Sequence, residues 1–179
     1  MLQDKYKTTV MEILKKELGD RNVLALPRIE KVTLNVGLSA KKDAKFIEEI
    51  VRTLTVITGQ QPVKTLARKS EAGFKIREGQ VVGAMVTIRG ARMWDFLDKL
   101  VNVTFPRVRD FRGIKKSSVD RTGNFHYGFR EHLAFPEVSP DAIDTIHGLQ
   151  VSITTTAADQ KEGMLLMKAL GFPFKKSST

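Results

Sequence analysis

Residues 31–38 alternate strictly, with Val32, Leu34, Val36 and Leu38 on one side and Lys31, Thr33 and Asn35 on the other. Side chains of a strand point to opposite faces in turn, so this segment reads as a strand with one buried face and one polar face. The pattern returns at Val81 to Arg89, where Val82, Ala84, Val86 and Ile88 share one side and Thr87 and Arg89 the other. It returns again at Val151 to Thr156, with Gln150, Ser152, Thr154 and Thr156 on the polar side. Strands of parallel sheets are covered on both faces and read as continuous apolar runs. Two-faced strands therefore favour an α+β fold, a mainly antiparallel sheet with helices packed on one face.

Helical spacing fills the intervals. Leu2, Tyr6, Val10, Ile13, Leu14 and Leu18 predict an amphipathic helix that stops at Gly19. Phe46, Ile47, Ile50, Val51, Leu54 and Ile57 predict a second, opened by Asp43 as N-cap and closed by Gly59. A third runs from about Ala91 through Met93, Trp94, Phe96, Leu97, Leu100 and Val101, with Pro106 past its end and Trp94 in its core stripe. The last is expected over roughly 159–170, ending at Gly171. Short strands are expected at 60–66 and around 125–134, and Pro140-Asp141 is placed to open a short helix. At 179 residues the chain fits one domain, with a protruding hairpin at 68–79, a basic loop at 107–124 and a mobile tail at 175–179.

Charge narrows the partners. The net charge is +10 with a pI near 9.9, the electrostatic footprint of a nucleic-acid binder. Residues 64–130 hold 15 basic and 6 acidic groups, net +9, so nearly all of the excess is local. Mean hydropathy is −0.20, and no apolar run approaches the roughly 18 residues a membrane span needs. The first residues lack the layout of a secretory signal, which leads to the expectation of a cytoplasmic protein with no membrane partner.

Catalytic patterns are missing. With no cysteine, disulfides, thiol chemistry and Cys-based zinc sites are excluded. There is no phosphate-cradling Gly-Lys-Ser/Thr loop, nucleophile elbow or His-Glu-x-x-His pattern. His126 and His132 on one strand would lie ~20 Å apart, too far to share a metal. The expectation is a protein without catalysis, metal or cofactor.

The basic loops carry more information. Arg68, Lys69, Lys75 and Arg77 surround Phe74 in a segment with glycines at 73 and 79. Phe74 either tucks under the hairpin as a small satellite core or stands out to stack on a base. In the second loop Arg107, Arg109 and Arg112 surround Phe111, and guanidinium both binds phosphate bidentately and stacks on bases. Between such loops, a sheet face of Thr33, Asn35, Thr87, Arg89, Ser152 and Thr154 offers hydroxyls and amides to ribose and phosphate. A free-standing RNA chaperone that binds many RNAs transiently would share these features.

Eight stretches in order across almost the whole chain resemble the large-subunit ribosomal protein five family of bacterial type. They are 26–35, 58–62, 67–70 with 73–77, 86–94, 105–113, 135–137, 154–157 and 171–174, including Leu26-Pro27-Arg28, Ala67-Arg68-Lys69-Ser70 and Phe105-Pro106-Arg107. The resemblance implies a structural protein that binds 5S rRNA and helps attach it in the central protuberance, among large-subunit rRNA and neighbouring large-subunit proteins. It nominates Asn35, Gln60, Thr87 and Arg89 for 5S rRNA. It implies that Lys69, Phe74, Lys75 and Arg77 reach P-site tRNA, and that Arg109, Arg112 and Pro136 meet small-subunit protein thirteen at an intersubunit bridge, from loops near 109–116 and 136–142. Gln61, Glu71 and Arg121 depart from the usual family pattern.

Overall fold

A computed structural model describes residues 2–19, 22–38, 44–138 and 146–175. The helices are α1 (Leu2–Lys5), α2 (Met11–Leu18), α3 (Ala44–Thr58), α4 (Gly90–Lys99), α5 (Phe105–Arg107) and α6 (Gln160–Leu170). The strands are β1 (Ile29–Gly37), β2 (Val63–Leu66), β3 (Val81–Ile88), β4 (Phe125–Phe129) and β5 (Leu149–Thr155). They form one antiparallel sheet in the order β2-β3-β1-β5-β4, so the expected α+β class is the observed one. The chain divides into two compact units, each assembled from separate segments.

The first unit comprises Met1–Val32, Arg89–Tyr127 and Ser152–Thr179. Turns of π-helix, Tyr6–Val10 and Leu100–Thr104, join α1 to α2 and α4 to α5. The second of these corrects the expected stop before Pro106, because the helix continues to Arg107. The wide turn carries the Phe105 N–H to the Leu100 carbonyl, and proline then enters the opening turn of a new segment, where its missing N–H costs nothing. Trp94 is half-buried with Tyr6 against it, ring centroids 5.4 Å apart. The Tyr6 hydroxyl donates to the Pro27 carbonyl at 3.1 Å, and burial pushes that phenol upward against the opposing pull of Arg28. α6 opens on Asp159, whose carboxylate accepts from the Glu162 N–H at 2.8 Å, the expected N-cap chemistry. Phe105 and Phe125, both fully buried, centre an aromatic cluster with Phe172 at 5.9 and 5.1 Å. Each such ring contributes about 1.5–3 kcal/mol by leaving water.

The second unit comprises Thr33–Ile88 and Gly128–Val151. α3 packs on β3, where Ala84, Val86 and Ile88 are buried on the side facing Ile50, Leu54 and Ile57. The alternation read at 31–38 and 81–89 is the observed one, with β1 extending two residues earlier and both strands ending one residue sooner. The strand expected at 125–134 ends at Phe129, and His132–Ala134 is a turn of 3-10 helix. There the His132 N–H turns aside to the His147 carbonyl at 3.1 Å, and Phe135 N–H closes on the His132 carbonyl at 3.1 Å. His126 and His132 therefore do not share a strand. Asp43, the Pro140-Asp141 helix start and residues 176–179 of the tail lie outside the described residues.

Candidate RNA interface

On the polar side of β1 and β3, Thr33, Asn35 and Thr87 are half-buried, as strand positions with alternating faces require. The hydroxyls of Thr33 and Thr87 lie 3.4 Å apart across the two strands. Gln60 joins them from the turn after α3, its amide donating to the Thr87 carbonyl at 3.2 Å. The Thr58 hydroxyl accepts from the Gln60 N–H at 3.3 Å and fixes that turn. Two nominated residues, Gln60 and Thr87, thus meet, and sequence spacing alone could not have shown that Gln60 is tied to Thr87. Arg89 follows Ile88 directly and is exposed in extended conformation as the first turn of α4 begins.

The hairpin at 68–79 is ordered by its own main chain. Glu71 and Ile76 exchange backbone hydrogen bonds of 2.9 and 3.1 Å, and the Lys75 N–H donates to the Ala72 carbonyl at 3.1 Å. Ser70 accepts from the Glu78 N–H at 2.9 Å, and the Gln80 side chain accepts from the Arg77 N–H at 3.1 Å. No side chain is needed inside, and Phe74 is 75% exposed. The satellite-core alternative for Phe74 is thereby overturned. Lys75 adopts φ 55°, a left-handed conformation that favours glycine or asparagine, and it turns the tip so that Phe74 and Lys75 stand outward.

In the loop after α5, Arg109 and Arg112 are exposed. Phe111 is half-buried and stacks on Phe105, centroids 5.5 Å apart. Its ring is part of the aromatic cluster around Phe105. The loop is pinned to the C-terminal segment, with Ile114 N–H donating to the Pro173 carbonyl at 2.8 Å and Lys175 N–H to the Ile114 carbonyl at 2.9 Å. Pro136, in the other unit, is exposed in a turn after buried Phe135; residues 139–142 of the loop expected beside it are outside the described ones. Among the described residues, none of Lys69, Lys75, Arg77, Arg89, Arg109 and Arg112 forms an ion pair. Their charge is available to an outside anion.

Two arrangements escaped the sequence reading. Ser152 Oγ lies 3.0 Å from His126 Nδ1, and His126 Nε2 lies 3.4 Å from Asp120. These are the residue types of a hydrolytic relay, but Asp120 is occupied in building a turn. Its carboxylate accepts from the backbone of Thr122 at 3.0 Å and of Asn124 at 2.8 Å. Slight burial raises its pKa, and hydrogen bonds from the Asn124 backbone and from the Thr122, Asn124 and His126 side chains together outweigh that and lower it. The second arrangement is a stack of His132 on His147, centroids 3.9 Å apart and planes within 4°. Burial pushes both imidazoles below their usual pKa. Two histidines fifteen positions apart leave no periodic signal. Among the described residues no group of three or more His, Asp or Glu is placed to hold a metal ion, and no helix is long and apolar enough to cross a membrane.

Hydroxyls and amides on a sheet face, and exposed guanidinium and ammonium groups with no ion pair among the described residues, are groups able to bind a polyanion. The comparisons with known proteins then specify the family. The model of ribosomal protein L5 matches residues 22–77, and that of the ribosomal L5 family C-terminus matches 81–174. The chain is 51% identical over 176 residues to the large ribosomal subunit protein uL5 of Colwellia psychrerythraea, covering 98% of this chain and 97% of that one. It is also 51% identical over 176 residues to the protein of the same name from Shewanella sp., covering 98% of each. The chain belongs to the ribosomal protein L5 family, whose members are structural and not enzymes.

Proposed function

We propose that this chain is a structural constituent of the large ribosomal subunit in the cytoplasm and holds 5S rRNA there. The observation that carries the reading is the hydrogen-bonded group of Thr33, Thr87 and Gln60 on the open strand face, with Asn35 beside it and Arg89 next along the chain. Thr and Asn supply both donors and acceptors for 2′-hydroxyls and base edges, and Arg89 supplies charge for a phosphate. Large-subunit rRNA and neighbouring large-subunit proteins complete its surroundings.

The test is binding to isolated 5S rRNA across a salt series. Affinity is expected to fall with salt, with a slope of about 0.7–0.9 per phosphate neutralised. Arg89→Ala should weaken binding about tenfold and reduce the slope by roughly one contact, without altering the melting temperature. Equal affinity for any duplex RNA of the same length would defeat the specific reading. A transient RNA chaperone would be washed from large subunits at high salt, whereas a resident constituent co-sediments with them.

The hairpin and the Arg-rich loop have separate roles in this reading. Lys69, Phe74, Lys75 and Arg77 reach P-site tRNA, supported by the exposed ring and by cations that form no ion pair among the described residues. Arg109, Arg112 and Pro136 contact small-subunit protein thirteen at an intersubunit bridge, supported by the exposure of all three. Phe74→Ala with Lys75→Ala should leave stability and 5S rRNA affinity unchanged while slowing tRNA-dependent steps of translation. Loss of 5S rRNA binding in that double variant would show the hairpin role to be misassigned.

A further inference from the structure

The open face of β3 is not polar throughout. Thr87 shares it with Met85 and Gly83, because alternate positions share a face, while Ala84, Val86 and Ile88 are buried on the other. Across to β2, Met85 is paired with Val63 and Gly83 with Thr65. Met85 is 38% exposed and Val63 67% exposed, two large apolar side chains at the surface. Gly83, on the same face, is buried and carries no side chain. A Cβ there would stand 2.7 Å from the Val36 carbonyl oxygen and 2.8 Å from the Thr65 hydroxyl, so β1 and β2 close around the glycine and keep a side chain from rising beside Met85. The result is a low apolar shelf of thioether and isopropyl groups, two residues along the strand from the hydroxyl of Thr87.

A shelf of this kind has no counterpart on a regular RNA helix. Duplex base faces are stacked inside, and what a helix presents outward is phosphate, ribose and base edges. An unpaired base presents a flat apolar face of about the size of two side chains, with polar edges around it. Thr87, Thr33 and Gln60 border the shelf with the donors and acceptors such edges need. The strongly positive charge of the chain favours a polyanion over an apolar peptide as the occupant. We infer that Val63 and Met85 receive the face of an unpaired nucleobase of the RNA bound on this strand face. The inference rests on the RNA-binding reading above and adds to it the kind of nucleotide the face selects.

The test compares three proteins, the unaltered chain, Val63→Ser with Met85→Ser, and Met85→Leu, against 5S rRNA and against a fully paired RNA duplex of the same length. The serine variant is expected to bind 5S rRNA about tenfold more weakly with an unchanged salt slope, since no charge has been removed. Met85→Leu should keep the affinity of the unaltered chain, and duplex binding should be the same for all three. Val63→Ser alone, at the more exposed position, serves if the double variant folds poorly. Undiminished 5S rRNA affinity in a folded serine variant, or an equal loss on duplex RNA, overturns the inference while leaving the RNA-binding reading standing. Failure of the unaltered protein to bind 5S rRNA overturns both.

Discussion

Gly163→Ala is expected to cost about 3 kcal/mol and to lower the melting temperature by roughly 10 °C. Helix propensity alone argues for the opposite sign, since alanine is favoured over glycine in a helix interior by about 1 kcal/mol. Packing decides otherwise. A Cβ on Gly163 would come within 3.0 Å of the Gly123 backbone, and backbone cannot rotate away as a side chain can. The turn it would strike cannot easily retreat. Gly123 N–H bonds the Asp120 carbonyl at 3.2 Å, the Gly123 carbonyl accepts from the Thr155 hydroxyl at 2.9 Å, and Asp120 ties the turn to Asn124. Because this turn closes the basic loop at 107–124, the same contact positions the far end of that loop on α6. Thermal unfolding followed by circular dichroism checks the claim, and an unchanged or higher melting temperature in the alanine variant would refute the tight approach.

The second large effect is acid lability centred on the His132–His147 stack. His147 Nδ1 faces the Gly148 carbonyl at 3.2 Å, so that nitrogen carries the proton and Nε2 is bare. Nε2 of both rings is buried without a hydrogen-bond partner among the described residues, so in the doubly protonated form of either ring the Nε2 proton has no acceptor there. Burial is the main cause depressing both pKa values, and for His147 the neighbouring His132 adds to it. Glu49 on α3 pulls both upward, as do the Gly148 carbonyl for His147 and the His147 backbone and Glu131 for His132. Phe46, also on α3, meets the His147 ring edge-on at 6.2 Å and brings no charge.

With folded values below the ordinary 6.5, the unfolded chain takes up protons first as pH falls. Stability is then fully present above pH 6.5 and is lost below it, by up to about 1.4 kcal/mol per pH unit for each histidine until the folded value is passed. Melting temperature measured from pH 7.5 to 5 should therefore fall steeply, and His132→Gln with His147→Gln should flatten the profile whatever its absolute stability. An equally steep profile in that variant would place the acid sensitivity elsewhere. The stack holds the 3-10 turn that precedes Pro136, so acid should loosen the proposed bridge segment first.

Much of the fold was legible because it rests on local periodicity. Strict alternation at 31–38 and 81–89 can be satisfied only by strands with one open face, and the stripes of α3 and α6 only by helices against a core. Charge counting located the exposed cations without any structure, since an unpaired Arg or Lys is held at the surface by its hydration. Continuation of the third helix through Pro106 was not legible, because a widened turn that removes the need for the proline N–H depends on Leu100 and Phe105 lying where packing puts them. Nor was the fate of the two loop phenylalanines. Phe74 and Phe111 both sit among basic residues, yet one is exposed and the other stacks on Phe105.

By itself, then, the order of residues determined the class of fold, the open polar face, the concentration of positive charge and the absence of catalytic patterns, because each follows from spacing or composition within one segment. Only the tertiary structure decided that Gln60 reaches Thr87, that His132 meets His147, that Gly163 presses on Gly123 and that Val63 lies beside Met85 on the open face. Those pairings join positions between 15 and 40 residues apart. They arise where separate elements compete for the same buried or surface position, and contact of that kind leaves no mark in local sequence.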